Sequence, residues 1–212
     1  CKIKEIIEMW TKVLDFNQYE KIPKFIAVEG PIGVGKTTLT KLLAESFGYN
    51  TFLEKPTENP FLADFYENPS QAALGAQLFF LFQRVKQIQE IKQGDIFTPT
   101  RVSDFLLDKD KLFAKATLSD QELKLYEQIY DYLSLDLPTP DLVIYLQAET
   151  KTLHQRVMHR GIEMEKSVSY DYLELLNESY KEFFFNYDRS PVLIVNSDYL
   201  DLESNKGDYD LL

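Results

Sequence analysis

Gly30-Pro31-Ile32-Gly33-Val34-Gly35-Lys36-Thr37 is the stretch that decides the fold. It matches G-x4-G-K-[ST] in full. Its flanks have the character that a phosphate-binding loop requires. Before it, Lys24-Phe25-Ile26-Ala27-Val28-Glu29 is a short apolar run, as expected of a buried strand. After it, Thr37 to Phe47 is apolar at Leu39, Leu42, Leu43 and Phe47, and Gly48 stands where a helix C-cap belongs. Glycines permit a tight turn and a close approach of the backbone to a ligand. Successive N–H groups and the helix N-terminus then face bound phosphates. The expected cradle is Gly30, Pro31, Ile32, Gly33, Val34, Gly35, Lys36, Thr37 and Thr38. Lys36 is suited to neutralise the β- and γ-phosphates, and Thr37 to offer its hydroxyl to a nucleotide-borne Mg²⁺.

Working outward, Tyr49 to Glu54 reads as a second strand, so strand, loop, helix and strand form a right-handed parallel crossover. Ser70 to Gln93 is a long helix dense in Leu78, Phe79, Phe80, Leu81, Phe82, Val85, Ile88 and Ile91, ended by Gly94. A short strand is expected within Asp95 to Ser103. Leu112 to Leu135 is mainly helical, with Thr117 or Ser119 as candidate N-caps. Asp141 to Leu146 is the clearest buried strand, and Pro191 to Asn196 is the last. Helices are expected over Thr150 to His159 and Tyr170 to Tyr187. This alternation predicts an α/β fold of the P-loop NTPase type. It has three layers, with a parallel sheet of about five strands and helices on both faces. The expected organisation is a helical extension over 1–22, a catalytic domain over 23–203 and a polar, frayed tail over 204–212. In the extension, Ile3, Ile6, Ile7, Trp10, Val13 and Leu14 fall at helical spacing.

Composition narrows the partners. The chain has 212 residues, 44% of them hydrophobic and 14% aromatic, which suits one folded domain with a sizeable core. Lys and Arg total 23 against 34 Asp and Glu, a net charge of −11. Such an average surface repels duplex DNA, so no nucleic-acid partner is expected. Cys1 is the single cysteine, and His154 and His159 have no third ligand beside them, so neither a disulfide nor a zinc site is expected. No apolar run is long enough to span a membrane. A cytoplasmic protein is the expectation.

A phosphate loop binds a nucleoside triphosphate without naming the acceptor. Glu54 bears on that question. It ends the second strand, and ligands of an open sheet gather beyond the carboxyl ends of its strands. A carboxylate there can take a proton from an attacking hydroxyl, or contribute to holding Mg²⁺.

With the loop Glu29 to Leu39, Leu53-Glu54, Asn59-Pro60-Phe61-Leu62, Phe65-Tyr66-Glu67-Asn68-Pro69, Gln77, Arg84, the strand Asp141 to Leu146 and the segment Arg156 to Leu173, the chain resembles the deoxyribonucleoside kinases. The resemblance spans roughly residues 24 to 196. It implies transfer of the γ-phosphoryl group of ATP to the 5′-hydroxyl of a deoxyribonucleoside, with Mg²⁺. It implies Glu54 as general base, Tyr66 on the sugar 3′-hydroxyl and Gln77 on the base edge. Phe79, Phe80 and Phe113 offer stacking surface, although core packing explains each of them equally well. Arg84 lies two helical turns after Gln77 and matches an arginine that touches the base and pairs with an aspartate, here Asp108 or Asp110. Arg156-Val157-Met158-His159-Arg160-Gly161 resembles the family's lid. Arg156 and Arg160 share a helix face at i,i+4 and would stabilise the transferring phosphoryl group. Glu165 matches a lid carboxylate that reaches the 3′-hydroxyl.

Two departures stand out. The family carries Asp/Glu-Arg-Ser after its third strand, whereas this chain has Val102-Ser103-Asp104-Phe105. Asp104 can keep a carboxylate role, although an ungapped count places it on the arginine's position, and Arg101 lies close by in sequence. Ile162 stands where a further lid arginine is common. Two other readings remain open: a thymidylate-type monophosphate kinase, and a nucleotide-binding protein weakened in catalysis. The first needs basic residues near the acceptor, but Glu54 to Leu74 contains only Lys55. Gln77 with Arg84 favours deoxyadenosine, deoxyguanosine or deoxycytidine over thymidine. The long apolar helix suggests a homodimer, although an ordinary core would look similar.

Overall fold

The computed structural model describes residues 23–93, 100–134 and 137–212. The expected N-terminal helix and the helix stop at Gly94 lie outside these residues. In chain order the strands are β1 (Phe25–Glu29), β2 (Asn50–Phe52), β3 (Arg101–Ser103), β4 (Leu142–Gln147) and β5 (Val192–Asn196). The α-helices are α1 (Lys36–Phe47), α2 (Leu62–Glu67), α3 (Pro69–Gln93), α4 (Lys109–Thr117), α5 (Asp120–Ser134), α6 (Thr150–Arg160), α7 (Tyr170–Phe185) and α8 (Lys206–Leu211). The five strands form one sheet in the order β2-β3-β1-β4-β5, and every pair is parallel.

Strand side chains alternate between faces, and the core divides accordingly. Ile26 and Val28 of β1, with Ile144 and Leu146 of β4, pack on Leu39 and Leu43 of α1 and Leu153 of α6. Ala27, Val143 and Tyr145 point the other way, onto Leu112 of α4 and Leu176, Tyr180 and Phe184 of α7. Both faces are therefore covered, which explains why β1 is buried along its whole length and reads as a continuous apolar run. α3 and α5 add a further cluster around Leu81, Val85, Phe105 and Tyr126.

Three boundaries differ from expectation. The second strand spans only Asn50–Phe52, because the Glu54 N–H goes to Asp104 Oδ1 at 2.7 Å instead of to a neighbouring strand. The third strand, Arg101–Ser103, falls inside its expected span. The helix expected over Leu112 to Leu135 is two helices. Ser119 starts the second one, its N–H and hydroxyl both donating to Glu122, while the Thr117 hydroxyl bonds back to the Phe113 carbonyl. The segment expected to fray, Ser204 to Leu212, contains α8, and its Tyr209 hydroxyl lies 2.7 Å from Ser46 Oγ of α1.

Candidate active site

The phosphate loop leaves β1 at its carboxyl end and feeds α1. Gly30 adopts φ 150°, and a Cβ there would sit 2.4 Å from the Leu146 carbonyl oxygen of β4. Gly33, at φ 83°, has its missing Cβ position 2.9 Å from the Leu153 carbonyl oxygen of α6. Only glycine allows the loop to nest this closely between β4 and α6. Lys36 Nζ donates to the carbonyls of Gly30 at 2.7 Å and Pro31 at 3.1 Å. Burial, then the neighbouring Lys109, lowers its pKa to about 8.

One cavity opens beside the loop. Ile32, Gly33, Lys36 and Thr37 line it from the loop side, and Glu54 and Asp104 stand at the ends of β2 and β3. Tyr66, Gln77, Phe80, Arg84, Phe113, Arg160 and Glu165 complete its wall. Side chains spread over more than a hundred positions of sequence therefore meet where strand ends and helices converge, as the open-sheet rule expects. Gln77 is buried and donates to Thr117 Oγ1 at 3.4 Å. The Arg84 guanidinium lies 5.0 Å from the centre of the Phe80 ring. Asn59 ties the preceding turn to α3 by donating to the Ala76 carbonyl at 3.1 Å. Arg160 pairs with Glu165. The Tyr66 hydroxyl is pushed well above its ordinary pKa by burial and the nearby Glu165 carboxylate, so it remains a neutral donor.

The centre of the cavity is ionic. Arg84 Nε donates to Glu54 Oε1 at 2.7 Å, and the same guanidinium pairs with Asp110. The choice left open between Asp108 and Asp110 falls to Asp110; Asp108 pairs with Arg189 instead. Burial alone would raise the Glu54 pKa, but Arg84, Lys109 and Lys36 outweigh it and hold it at about 2. Glu54 is therefore ionised. Asp104 Oδ2 accepts from the Thr37 hydroxyl at 2.6 Å, and burial and the Glu54 charge raise its pKa. Burial likewise pushes Asp110 up to about 7, against the pull of Arg84 and Lys109.

One residue departs from its expected place. Arg156 does not enter the cavity. Its guanidinium donates to the Ser197 carbonyl at 2.7 Å, the Leu200 carbonyl at 3.1 Å and the Val34 carbonyl at 3.5 Å. It thus braces the outer side of the phosphate loop against the turn after β5. Arg101 pairs across the sheet with Phe25, at the amino end of β1, and so lies at the end of the sheet away from the loop. The residue that sequence reasoning missed is Lys109. Its side chain is 2% exposed, and its Nζ is 3.0 Å from Glu54 Oε1 and 3.4 Å from Glu29 Oε2. Nothing local in the charged run Asp108-Lys109-Asp110-Lys111 marks one lysine as buried. Tyr172 also lines the cavity and was not singled out.

The model of the deoxynucleoside kinase family matches residues 26–212. The chain is 36% identical to a deoxyguanosine kinase of Bacillus subtilis (strain 168) over 195 residues, covering 88% of this chain and 92% of that one. It is 32% identical to a deoxyadenosine/deoxycytidine kinase of the same organism, covering 88% and 89%. Among solved structures, a deoxyadenosine kinase of M. mycoides with dCMP and dCDP bound superposes with a TM-score of 0.77 at 28% identity, covering 88% of this chain and 95% of that one. The same enzyme with dATP bound gives a TM-score of 0.75.

Proposed function

The chain belongs to the deoxynucleoside kinase family, and from that membership we propose how its residues share the work. It is an ATP-dependent phosphotransferase acting on a deoxyribonucleoside, and the thymidylate-type reading falls away. In the proposed reaction Glu54 accepts the proton of the 5′-hydroxyl as that oxygen forms a bond to the γ-phosphorus and the bond to ADP breaks. Arg84, fixed from behind by Asp110, orients the Glu54 carboxylate. Tyr66 and Glu165 hold the sugar 3′-hydroxyl, Gln77 reads the base edge with an amide donor and acceptor side by side, and Phe80 and Phe113 flank the base. Lys36 and Arg160 face the charge that spreads over the transferring phosphoryl group. Arg156 is assigned the bracing of the phosphate loop.

The donor set suits Mg²⁺. The Thr37 hydroxyl and the Asp104 carboxylate are hard oxygen ligands side by side, with Glu54 next to them. When bound, Mg²⁺ supplies neutralisation of the phosphate charge.

Two relatives bear the names of deoxyguanosine and deoxyadenosine/deoxycytidine kinases, and Gln77 with Arg84 suits the same bases. We assign the substrate to that group over thymidine. No helix among the described residues is long and apolar enough to cross a membrane, in keeping with a cytoplasmic enzyme. The observation that carries the mechanism is Glu54, paired with Arg84 and Lys109, in the wall of the cavity that also holds Lys36. Steady-state kinetics over a panel of deoxynucleosides, with the parent and Glu54→Gln, provide the test. Glu54→Gln is expected to bind ATP almost normally and to lower kcat at least ~100-fold. Near-normal turnover would remove Glu54 as the base.

A further inference from the structure

Lys109 opens α4, five residues after the Asp104 that follows β3. Its ammonium group has two carboxylate neighbours, and their needs differ. Glu29 is already served by neutral donors: Gly30 N–H at 2.8 Å and the Tyr180 hydroxyl at 3.0 Å on Oε1, and Leu106 N–H at 2.7 Å on Oε2. Glu54 has no such set. Arg84 reaches it from α3 and Lys109 from α4, and both grip the same oxygen, Oε1. Among the described residues no hydrogen bond is made to Oε2. Phe105, next to Asp104, turns wholly into the core with Leu81 and Tyr126, so no cation comes from that position. Of the other cations lining the cavity, Lys36 points to the loop carbonyls and Arg160 pairs with Glu165.

We infer that Lys109 is a positioning residue for phosphoryl transfer: with Arg84 it clamps Oε1 of Glu54, leaving Oε2 to meet the acceptor hydroxyl, and so replaces the arginine missing after β3. The inference rests on Glu54 being the base. A carboxylate held from two helices by two cations has one orientation. Held by one, it can swing by the ångström or so that positioned catalysis does not tolerate. The competing role for Lys109 is that of a buried counter-ion to Glu29, important for folding and indifferent to Glu54.

A double-mutant cycle separates the two roles, because a residue acting through Glu54 loses its effect once Glu54 is gone. Lys109→Met is expected to lower kcat about 100-fold with KM for ATP and nucleoside within about threefold of the parent. Lys109→Arg, which restores a cation, should recover at least about tenfold of that loss. In the Glu54→Gln background, Lys109→Met should cost less than about threefold. A kcat near the parent's in folded Lys109→Met would overturn the inference, and so would a full ~100-fold loss in both backgrounds. If Lys109→Met does not fold, as judged by its thermal transition, Lys109→Gln enters the same cycle and is read by the same criteria. An active Glu54→Gln would sink the base assignment itself. An inactive Glu54→Gln with an additive cycle would sink the role of Lys109 alone.

Discussion

Glu54 shows how far one carboxylate can be shifted by its neighbours. Arg84, Lys109 and Lys36 act on it together, while Asp104 and Tyr66 border it and Asp110 and Glu29 stand behind the cations. Its pKa falls from an ordinary 4.5 to about 2 in the folded protein. A depressed folded-state pKa means that ionised Glu54 stabilises the fold fully above 4.5, and that this contribution is lost as the pH falls towards 2. Glu54→Gln should therefore lower the melting temperature near neutral pH. The gap to the parent should close as the solution is acidified, by scanning calorimetry in matched buffers. A gap independent of pH would contradict the pairing. Asp110 has the opposite sign, since its raised pKa makes its contribution improve as the pH falls from about 7. Both proteins carry Asp110, so the comparison cancels most of that effect.

At the scale of the element, α6 separates two arginines that its sequence sets on one face. Arg160 stands in the last turn and meets the cavity with a side chain 46% exposed. Arg156 stands four residues earlier, about 6 Å along the axis, and there the neighbours are the phosphate loop and the turn after β5. Arg156→Ala would strand several carbonyls and is expected to cost about 2 kcal/mol of stability. It should also raise KM for ATP more than KM for the nucleoside. Arg160→Ala should lower kcat while changing stability by less than about 0.5 kcal/mol. Chemical denaturation alongside kinetics checks both, and a destabilised Arg160→Ala with unaltered kcat would reverse the assignment. The α4–α5 break carries a similar lesson. Ser119 is one of two candidate N-caps, and its capping box with Glu122 is what divides the apolar pattern that runs on through Leu118 into two helices.

For the whole molecule, the apolar surface left on α3 and α5 bears on assembly. Phe82 is 54% exposed on α3, and Leu125 and Tyr132 on α5 are 48% and 78% exposed. An enzyme of this size that leaves large apolar side chains open on two adjoining helices is well suited to pair through them. The expectation is a homodimer by analytical ultracentrifugation, and a shift to monomer in Phe82→Glu. A monomeric parent at micromolar concentration would rule the interface out. The net charge of −11 sets the background for the site: the average surface repels anions, so in the proposed reaction the phosphates are expected to depend on Lys36, Arg160 and the loop amides.

The amino-acid sequence by itself determined the parallel α/β architecture, the phosphate loop and the strand-end position of Glu54. These depend on contiguous residues: apolar runs that need two covered faces, glycines that no other residue can replace, and a helix that starts where the loop ends. It also marked Tyr66, Gln77, Arg84 and Glu165, through resemblance to a family. Only the tertiary structure decided that Asp110 and not Asp108 backs Arg84, that Arg156 braces the loop, and that Lys109 is buried against Glu54. Those outcomes depend on which charges face one another across gaps of 26 to 122 residues. No local pattern encodes such a meeting, because a lysine in a charged run looks the same in sequence whether its helix turns it to water or into the site.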